Sequence, residues 1–312
     1  MLNYNVLSRK PLNFKSFTGL EAPEFDAVYT KIQESHAAYE EKRLHREDRK
    51  RRIGAGHPFK LPLKERLVML FMYHRLYVTS TLLGFLFNLG QTNVLKNMRM
   101  LEPLVKEVLP LPRKLHQKAG RLGTLDDLEA LFPGFKAFLD ATEQEIPRPK
   151  DKAKRRTHYS GKRKRHTVKT QITVNADGLI LHRTPHARGS RHDYALFKWR
   201  HPRLPGDVRL GVDLGYDGIQ NDYPGFNALA PFKRRSPGRG KRGVKAEELT
   251  FEEKAFNRWL SGERAVVEHI ISRLKKFRIM AHRFRNRLKH YDTMTDIVCG
   301  LVNLRIMGTT AL

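Results

Sequence analysis

The spacing of apolar positions changes from helical to strand-like partway along the chain. Between residues 25 and 53 apolar side chains recur with a helical period, and the stretch ends in the charged run KRLHREDRKRRI. Such a run is typical of a solvated helix end. The next residues, 54–62, read GAGHPFKLP and are rich in glycine and proline, so they predict a linker.

Residues 63–109 predict three helices separated by short turns. The first covers residues 63–76, Thr79 or Ser80 can cap a short second helix, and the third begins near Gln91. The third helix should turn the following polar and basic side chains outwards: Thr92, Asn93, Lys96, Asn97 and Arg99. This plan is typical of a helix-turn-helix DNA-binding region, although a generic three-helix bundle has the same pattern.

A basic connector is predicted at residues 111–123, and a short helix at 125–132. From residue 135 the apolar period becomes that of strands, and the first predicted strand ends on Asp140. A hairpin is predicted around residues 175–178.

After the hairpin, a helix is predicted to follow Ser190 and a short buried strand to carry Asp213. A final helix at residues 291–307 is expected to cover the sheet. The predicted fold class is therefore α/β, a mixed sheet flanked by helices and preceded by an all-α region.

Residues 250–280 predict a long helix that begins with a capping box formed by Thr250 and Glu253. Beside its apolar stripe, Arg264, Glu268 and Lys275 fall within about 40° of one another on a helical wheel. Taken alone, this helix favours a surface ion pair between Arg264 and Glu268 with a solvated lysine.

Charge identifies the class of partner. The 312-residue chain contains 60 Lys and Arg against 32 Asp and Glu, which gives a net charge of +28. A polyanion is therefore expected, and the apolar runs are too short for a membrane span of about 18 residues, so nucleic acid is the first choice. A single cysteine, Cys299, excludes an intrachain disulfide and fits a reducing cytoplasm.

Three carboxylates are candidates for a metal site. Neighbouring strands can bring Asp140 and Asp213 together, and the long helix can present Glu268 to them. Converging carboxylates repel unless cations lie between them, and Mg²⁺ prefers such oxygen ligands. Two ions about 3.5–4 Å apart would suit in-line displacement at phosphorus.

Three basic runs follow the acids and would attract phosphates. Residues 148–169, 233–245 and 273–289 together hold 26 of the 60 Lys and Arg residues. Any one run alone is equally typical of a localisation-like or disordered patch, but three runs favour a DNA channel.

At these residues the chain resembles the DDE transposases of bacterial insertion sequences, in the branch akin to eukaryotic Harbinger elements. The motifs are Asp140-Ala141-Thr142-Glu143, where the family has glycine second, and Asp213-Leu214-Gly215-Tyr216. The third is the signature that Arg264, Glu268 and Lys275 match, with Ser261 where tyrosine is common. Residues 189–193, GSRHD, and 54–63 also look like that family.

The resemblance implies a ribonuclease H-like catalytic domain in which Asp140, Asp213 and Glu268 hold two Mg²⁺ ions, or Mn²⁺ in their place. Glu143 or Glu145 is the alternative to Asp140. It also implies phosphate contacts by Arg264 and Lys275. Asp193 is expected to cap a helix or support the site instead of binding metal.

The predicted organisation is a basic helical arm and linker at residues 1–62, the helix-turn-helix region at 63–112, a connector at 113–133 and the catalytic domain at 134–312. The predicted function is that of a transposase that binds terminal inverted repeats, cleaves DNA and transfers strands. It is expected to act as a homodimer on double-stranded DNA in the bacterial cytoplasm, at the nucleoid. The alternatives are a non-catalytic DNA-binding regulator and a nuclease without strand transfer.

Overall fold

The computed structural model describes residues 2–53, 55–122, 124–234 and 247–310. The chain forms two compact units, of which one contains residues 1–111 and 274–312 and the other residues 112–273. Residues 274–312 therefore group with the helical unit, whereas the sequence interpretation placed them in the catalytic domain.

Helices account for most of the regular structure. In chain order they are α1 (Tyr4–Ser8), α2 (Pro11–Thr18), α3 (Ala22–Leu44), α4 (Leu63–Leu76), α5 (Ser80–Phe87), α6 (Gln91–Val108), α7 (Pro112–Ala119), α8 (Leu125–Leu131), α9 (Lys152–His158), α10 (Asp193–Trp199), α11 (Ile219–Asp222), α12 (Phe251–Lys275), α13 (Arg278–Ala281) and α14 (Tyr291–Thr310).

The strands all belong to the second unit. They are β1 (Lys136–Glu145), β2 (Tyr159–Ser160), β3 (Arg165–Asn175), β4 (Ile180–Arg183), β5 (Ala187–Arg188), β6 (Arg209–Gly211) and β7 (Asn227–Leu229). Among the described residues they form a mixed sheet in the order β2-β3-β1-β6-β7, and β4 and β5 also pair with β3. β1 is antiparallel to β3 and parallel to β6, and β6 is parallel to β7.

The three helices α4, α5 and α6 form as the sequence predicts. The Thr79 hydroxyl accepts a hydrogen bond from the Leu82 amide and caps α5, and Asn88, with φ of 54°, ends it. Gly84 lets the following turn approach closely, because a Cβ atom there would lie 2.5 Å from the Leu89 carbonyl oxygen. These contacts fix the α5–α6 turn.

The prediction that the last helix covers the sheet is wrong, because α14 packs against α6 within the helical unit. Lys106 on α6 forms an ion pair with Asp296 on α14 at 2.7 Å. Asn303 donates to the Pro110 carbonyl at 3.0 Å. An apolar helical face shows that a helix is buried, but it does not identify the surface that buries it.

One face of the sheet supplies the core of the second unit. Ala137 and Leu139 on β1 and Leu210 on β6 are fully buried, and they pack with side chains from α7, α8 and α10. The opposite face of β1 carries Phe138 and Asp140, because side chains alternate along a strand. That second face faces α12, since Lys136 forms an ion pair with Glu263 at 2.7 Å.

The sequence placed the end of the first strand at Asp140, and this is wrong. β1 continues through Asp140 to Glu145, paired with β3 along its whole second half. The predicted hairpin is confirmed, since β3 and β4 pair across a turn in which Gly178 has φ of 87°.

Candidate active site

Asp140 and Asp213 occupy equivalent places on two neighbouring parallel strands. The last parallel pair between β1 and β6 is Phe138 with Gly211. Each aspartate lies two residues beyond its member of that pair. The two carboxylates therefore lie just beyond the point where the β1–β6 pairing ends.

Arg264 is the residue of α12 that reaches the aspartates. Its Nη1 atom lies 3.7 Å from Asp213 Oδ1, and the residue is only 7% exposed. The side chain passes over Gly211, where an added Cβ atom would lie 3.5 Å from Arg264 Cγ and 2.8 Å from Phe138 Cδ1. Glycine at position 211 therefore makes room for the Phe138 ring, and the arginine passes over it at an ordinary contact distance.

The pKa of Asp140 is raised above its usual value. Burial is the main cause, and the nearby charges of Asp213 and Asp193 act in the same direction. The Ala141 amide, which donates to Asp140 at 2.7 Å, and the charge of Arg264 partly oppose this rise. Asp213 is more open, with its side chain 53% exposed, and accepts a hydrogen bond from Leu214.

Asp193 forms an ion pair with Lys169 and does not occupy the N-cap position of α10. It is the first residue of α10, and the N-cap position belongs to His192. Its carboxylate accepts a hydrogen bond from Lys169 Nζ at 2.8 Å, and the same ammonium group lies 3.4 Å from Glu143. A Cβ atom at Gly215 would lie 3.7 Å from Asp193 Oδ2, so the second aspartate motif packs against it.

Glu143 and Glu145, the alternatives to Asp140, form contacts with other residues. Glu143 contacts Lys169 and also accepts a hydrogen bond from Thr167 at 2.8 Å. Glu145 forms an ion pair with Arg165 at 2.6 Å. The geometry therefore favours Asp140 as the partner of Asp213.

Two buried groups near the aspartates were not singled out from the sequence. Lys169 is 7% exposed and joins β3 to α10 through Asp193. Tyr216 is 1% exposed, its hydroxyl has no hydrogen-bond partner among the described residues, and burial together with the three nearby aspartates raises its pKa. The sequence signal for Tyr216 was its place in the Asp-x-Gly-Tyr motif, whereas Lys169 was marked only as the last base of the run at residues 148–169.

Glu268 follows Arg264 by one helical turn and is exposed. Helix α12 begins at the predicted capping box, since Thr250 and Glu253 exchange hydrogen bonds of 2.9 and 3.2 Å, and it runs unbroken through Gly262. The described residues contain no metal-binding group of three or more side chains that would join Glu268 to the two aspartates. The structure brings together Asp140, Asp213 and Arg264, and leaves Glu268 outside that contact set.

The pair of aspartates fits a divalent cation, because two carboxylates with adjacent charges offer hard oxygen ligands and Asp140 is half-buried. Their repulsion would be offset by a cation between them. Among the described residues no group of three or more His, Cys, Asp or Glu side chains is arranged to hold a metal ion. The predicted ligand Glu268 is therefore not part of such a group among the described residues.

The first half of α6 presents most of the predicted DNA-contacting side chains to solvent. Thr92, Asn93, Lys96 and Arg99 are exposed. Asn97 is the exception, because it is 8% exposed and its amide donates to the Asn93 carbonyl at 2.7 Å. The predicted outer-face position of Asn97 is therefore wrong.

The basic runs are described only in part. Residues 148–169 carry exposed lysines and arginines around α9 and into β3. Most of the run at 233–245 lies outside the described residues. Lys275 is the last residue of α12 and belongs to the helical unit.

Comparison with known proteins identifies the protein family to which the chain belongs. Residues 139–303, more than half of the chain, match the model of the DDE superfamily endonucleases, so the protein belongs to that family. Endonucleases of this superfamily generally depend on a divalent metal ion. Residues 59–111 match the helix-turn-helix of DDE superfamily endonucleases.

A more particular likeness extends over most of the chain. The chain is 27% identical, over 261 residues, to a protein of Microchaete diplosiphon named "Probable transposase for insertion sequence element IS702". The matched region covers 83% of this chain and 86% of that relative. No solved structure matches the chain significantly. None of the described helices combines the length and apolar character that crossing a membrane requires.

Proposed function

We propose that the protein is a transposase that binds the terminal inverted repeats of its element, cleaves DNA there and joins the freed 3′ end to a target. The observation that carries this proposal is the pairing of Asp140 and Asp213 at the end of the parallel strands, with Arg264 beside them. The family of the catalytic segment and the likeness to a named transposase support it.

In this proposal Asp140 and Asp213 hold Mg²⁺, for which Mn²⁺ can substitute, and Glu268 completes the ligand set from α12. When bound, a pair of such ions supplies Lewis-acid stabilisation of the oxygens that attack and leave phosphorus. Glu268 would reach the site by a rotamer change or a small shift of α12, since it is exposed one turn after Arg264. Asp193 and Lys169 hold the surrounding elements in place.

Phosphate and base contacts are divided between helices α12 and α6. Arg264 and Lys275 would bind phosphates near the cleaved bond. Thr92, Asn93, Lys96 and Arg99 would touch the inverted repeat, because exposed polar side chains on such a helix can reach base edges and backbone. Asn97 would act indirectly by fixing Asn93.

Pairing two element ends suggests a homodimer on DNA. A chromosomal DNA substrate would place the protein in the bacterial cytoplasm, at the nucleoid. The homodimer follows from the proposed reaction. The DNA substrate agrees with the net charge of +28.

The reaction can be tested with purified full-length protein, Mg²⁺ and a duplex that carries the element's end. We expect nicked and joined products, and Asp213→Ala and Glu268→Gln should each lower both by at least about 100-fold, the loss typical of removing one group that stabilises transition-state charge. Glu252→Gln, at an exposed position in the first turn of the same helix, is the matched control and should retain activity.

The products distinguish the alternatives. Retained cleavage in the Asp213→Ala variant would contradict the proposal. Cut ends without joined products would indicate a hydrolytic nuclease, and DNA binding without cleavage would indicate a regulator derived from such an enzyme.

A further inference from the structure

A dense basic segment, residues 42–53, begins in the last turn of α3 and lies outside both segments that match known families. Its only acids are Glu47 and Asp48. Its basic residues are all exposed, and they are Lys42, Arg43, Arg46, Arg49, Lys50, Arg51 and Arg52. The segment therefore concentrates positive charge on one surface of the helical unit.

Two arginines of the basic segment make contacts that shape it. Arg49 donates to the carbonyls of Leu44 at 2.8 Å and Arg51 at 2.7 Å, which folds the chain back after α3. Arg43 pairs with Glu40 at 2.6 Å. Across the described part of the chain, Arg46, Lys50 and the guanidinium groups of Arg51 and Arg52 form no ion pair. Like charges held together in this way favour a polyanionic partner.

The start of the basic segment is attached to the middle of α6. The Tyr39 hydroxyl donates to the Met100 carbonyl at 3.0 Å. Lys42 and Arg43 lie one helical turn beyond Tyr39, so they leave α3 on the same side.

The chain after the basic segment is attached to the beginning of α6. Lys60 Nζ donates to the carbonyl of Asn88, in the turn that precedes α6, at 2.7 Å. Between Gln91, where α6 begins, and Met100 the helix advances about 14 Å, at about 1.5 Å per residue. The basic segment therefore connects two points that flank the half of α6 with the exposed residues Thr92, Asn93 and Lys96.

A helix that enters the major groove is bordered on both sides by phosphates. We propose that the basic segment is a second DNA contact, which binds the phosphate backbone alongside the groove entered by α6. This inference rests on the proposed function and adds the surface that supplies sequence-independent affinity. Its ligand is the sugar–phosphate backbone of duplex DNA.

The test compares two charge-matched variants of the full chain. The first replaces Lys50, Arg51 and Arg52 with Gln. The control replaces Arg9, Lys10 and Lys31 with Gln, which are also exposed in the helical unit. Binding of a random-sequence duplex of about 30 base pairs is measured by fluorescence anisotropy over about 50 to 300 mM KCl, the range in which counterion release dominates affinity.

For each phosphate that the first variant no longer neutralises, we expect the slope of log K, where K is the association constant, against log salt concentration to become less steep by about 0.9. The affinity at about 0.1 M salt should then fall roughly eight-fold. The control variant should keep the slope of the wild type. Circular dichroism and melting temperature should match the wild type in both variants. Equal slopes in the two variants would overturn this inference alone. Failure of the wild type to bind DNA would overturn the proposed function and the inference together, so the two failures are distinguishable.

Discussion

Asp140 lies in the middle of a ten-residue strand, yet its carboxylate stands at the end of a parallel pairing. The reason is that β6 stops at Gly211 while β1 continues with β3 as its remaining partner. The space beside Asp140 is therefore open on the β6 side, where Asp213 follows. The sequence interpretation selected Asp140 as a strand end, but the strand that ends beside it is β6.

Lys169 provides a test of how the site is held at the scale of single residues. Lys169→Met should destabilise the protein by about 3 to 5 kcal/mol, because it leaves Glu143 and Asp193 without their shared partner and the ion pair is largely buried. Chemical denaturation followed by circular dichroism measures the loss.

The control for Lys169 is Arg165→Gln on the same strand. Arg165 forms an ion pair with Glu145, but its side chain is 66% exposed, so the expected cost is below about 1 kcal/mol. Equal stability losses in the two variants would show that the ion pair of Lys169 is no more important than a surface pair.

At the scale of elements, α12 and α14 show what helical periodicity can and cannot predict. The apolar positions of α12, including Leu260, Val267 and Ile270, are buried as predicted, and its first turn has the predicted capping box. The same periodicity in α14 gave the wrong packing partner. Local sequence determines where a helix begins and which face is apolar, while the packing surface depends on distant residues.

Two helical glycines should respond oppositely to the same substitution. Gly84→Ala should destabilise the helical unit by more than about 2 kcal/mol, since the new Cβ would lie 2.5 Å from the Leu89 carbonyl oxygen and the α5–α6 turn must move. Gly262→Ala in α12 has no neighbouring atom within 4 Å and should stabilise by about 1 kcal/mol through helix propensity. Thermal unfolding of both variants measures the two shifts.

DNA binding gives a second measurement on the same pair. Gly84→Ala should also weaken binding, because the turn that it displaces positions α6, whereas Gly262→Ala should bind as the wild type does. Stabilisation of the protein by Gly84→Ala would contradict the close approach at this turn.

At the scale of the whole molecule, each unit holds a histidine that burial keeps neutral. Burial, with the neighbouring charges of His116 and Arg183, lowers the pKa of His182 to about 3. Burial lowers the pKa of His74 to about 4. In the unfolded chain both would titrate near the ordinary value of about 6.5.

Below about pH 6.5 the unfolded state therefore binds more protons than the folded state. Stability of each unit should fall as the pH drops from about 6.5 towards the folded pKa, by up to about 1.4 kcal/mol per pH unit for each histidine. Melting temperatures between pH 7 and 5 measure the slope, and His182→Gln should flatten it, whereas His57→Gln at an exposed position should not. A pH-independent melting temperature in this range would contradict the prediction.

The sequence by itself determined the elements that depend on local patterns. These include α4 with its predicted bounds, the caps at Thr79 and Thr250, the β3–β4 hairpin and the net positive charge. The motifs also pointed to Asp140, Asp213 and Arg264, because a motif consists of residue types at fixed spacing, which can be recognised in the amino-acid sequence without a structure.

Tertiary structure alone decided which of those residues meet. Long-range strand pairing set Asp140 beside Asp213, and the path of α12 over Gly211 brought Arg264 to them while Glu268 stayed exposed. The buried Lys169 and Tyr216, and the packing of α14 on α6, likewise depend on contacts between residues far apart in the chain. Such contacts arise from the burial of whole surfaces, which a local pattern of residues does not specify.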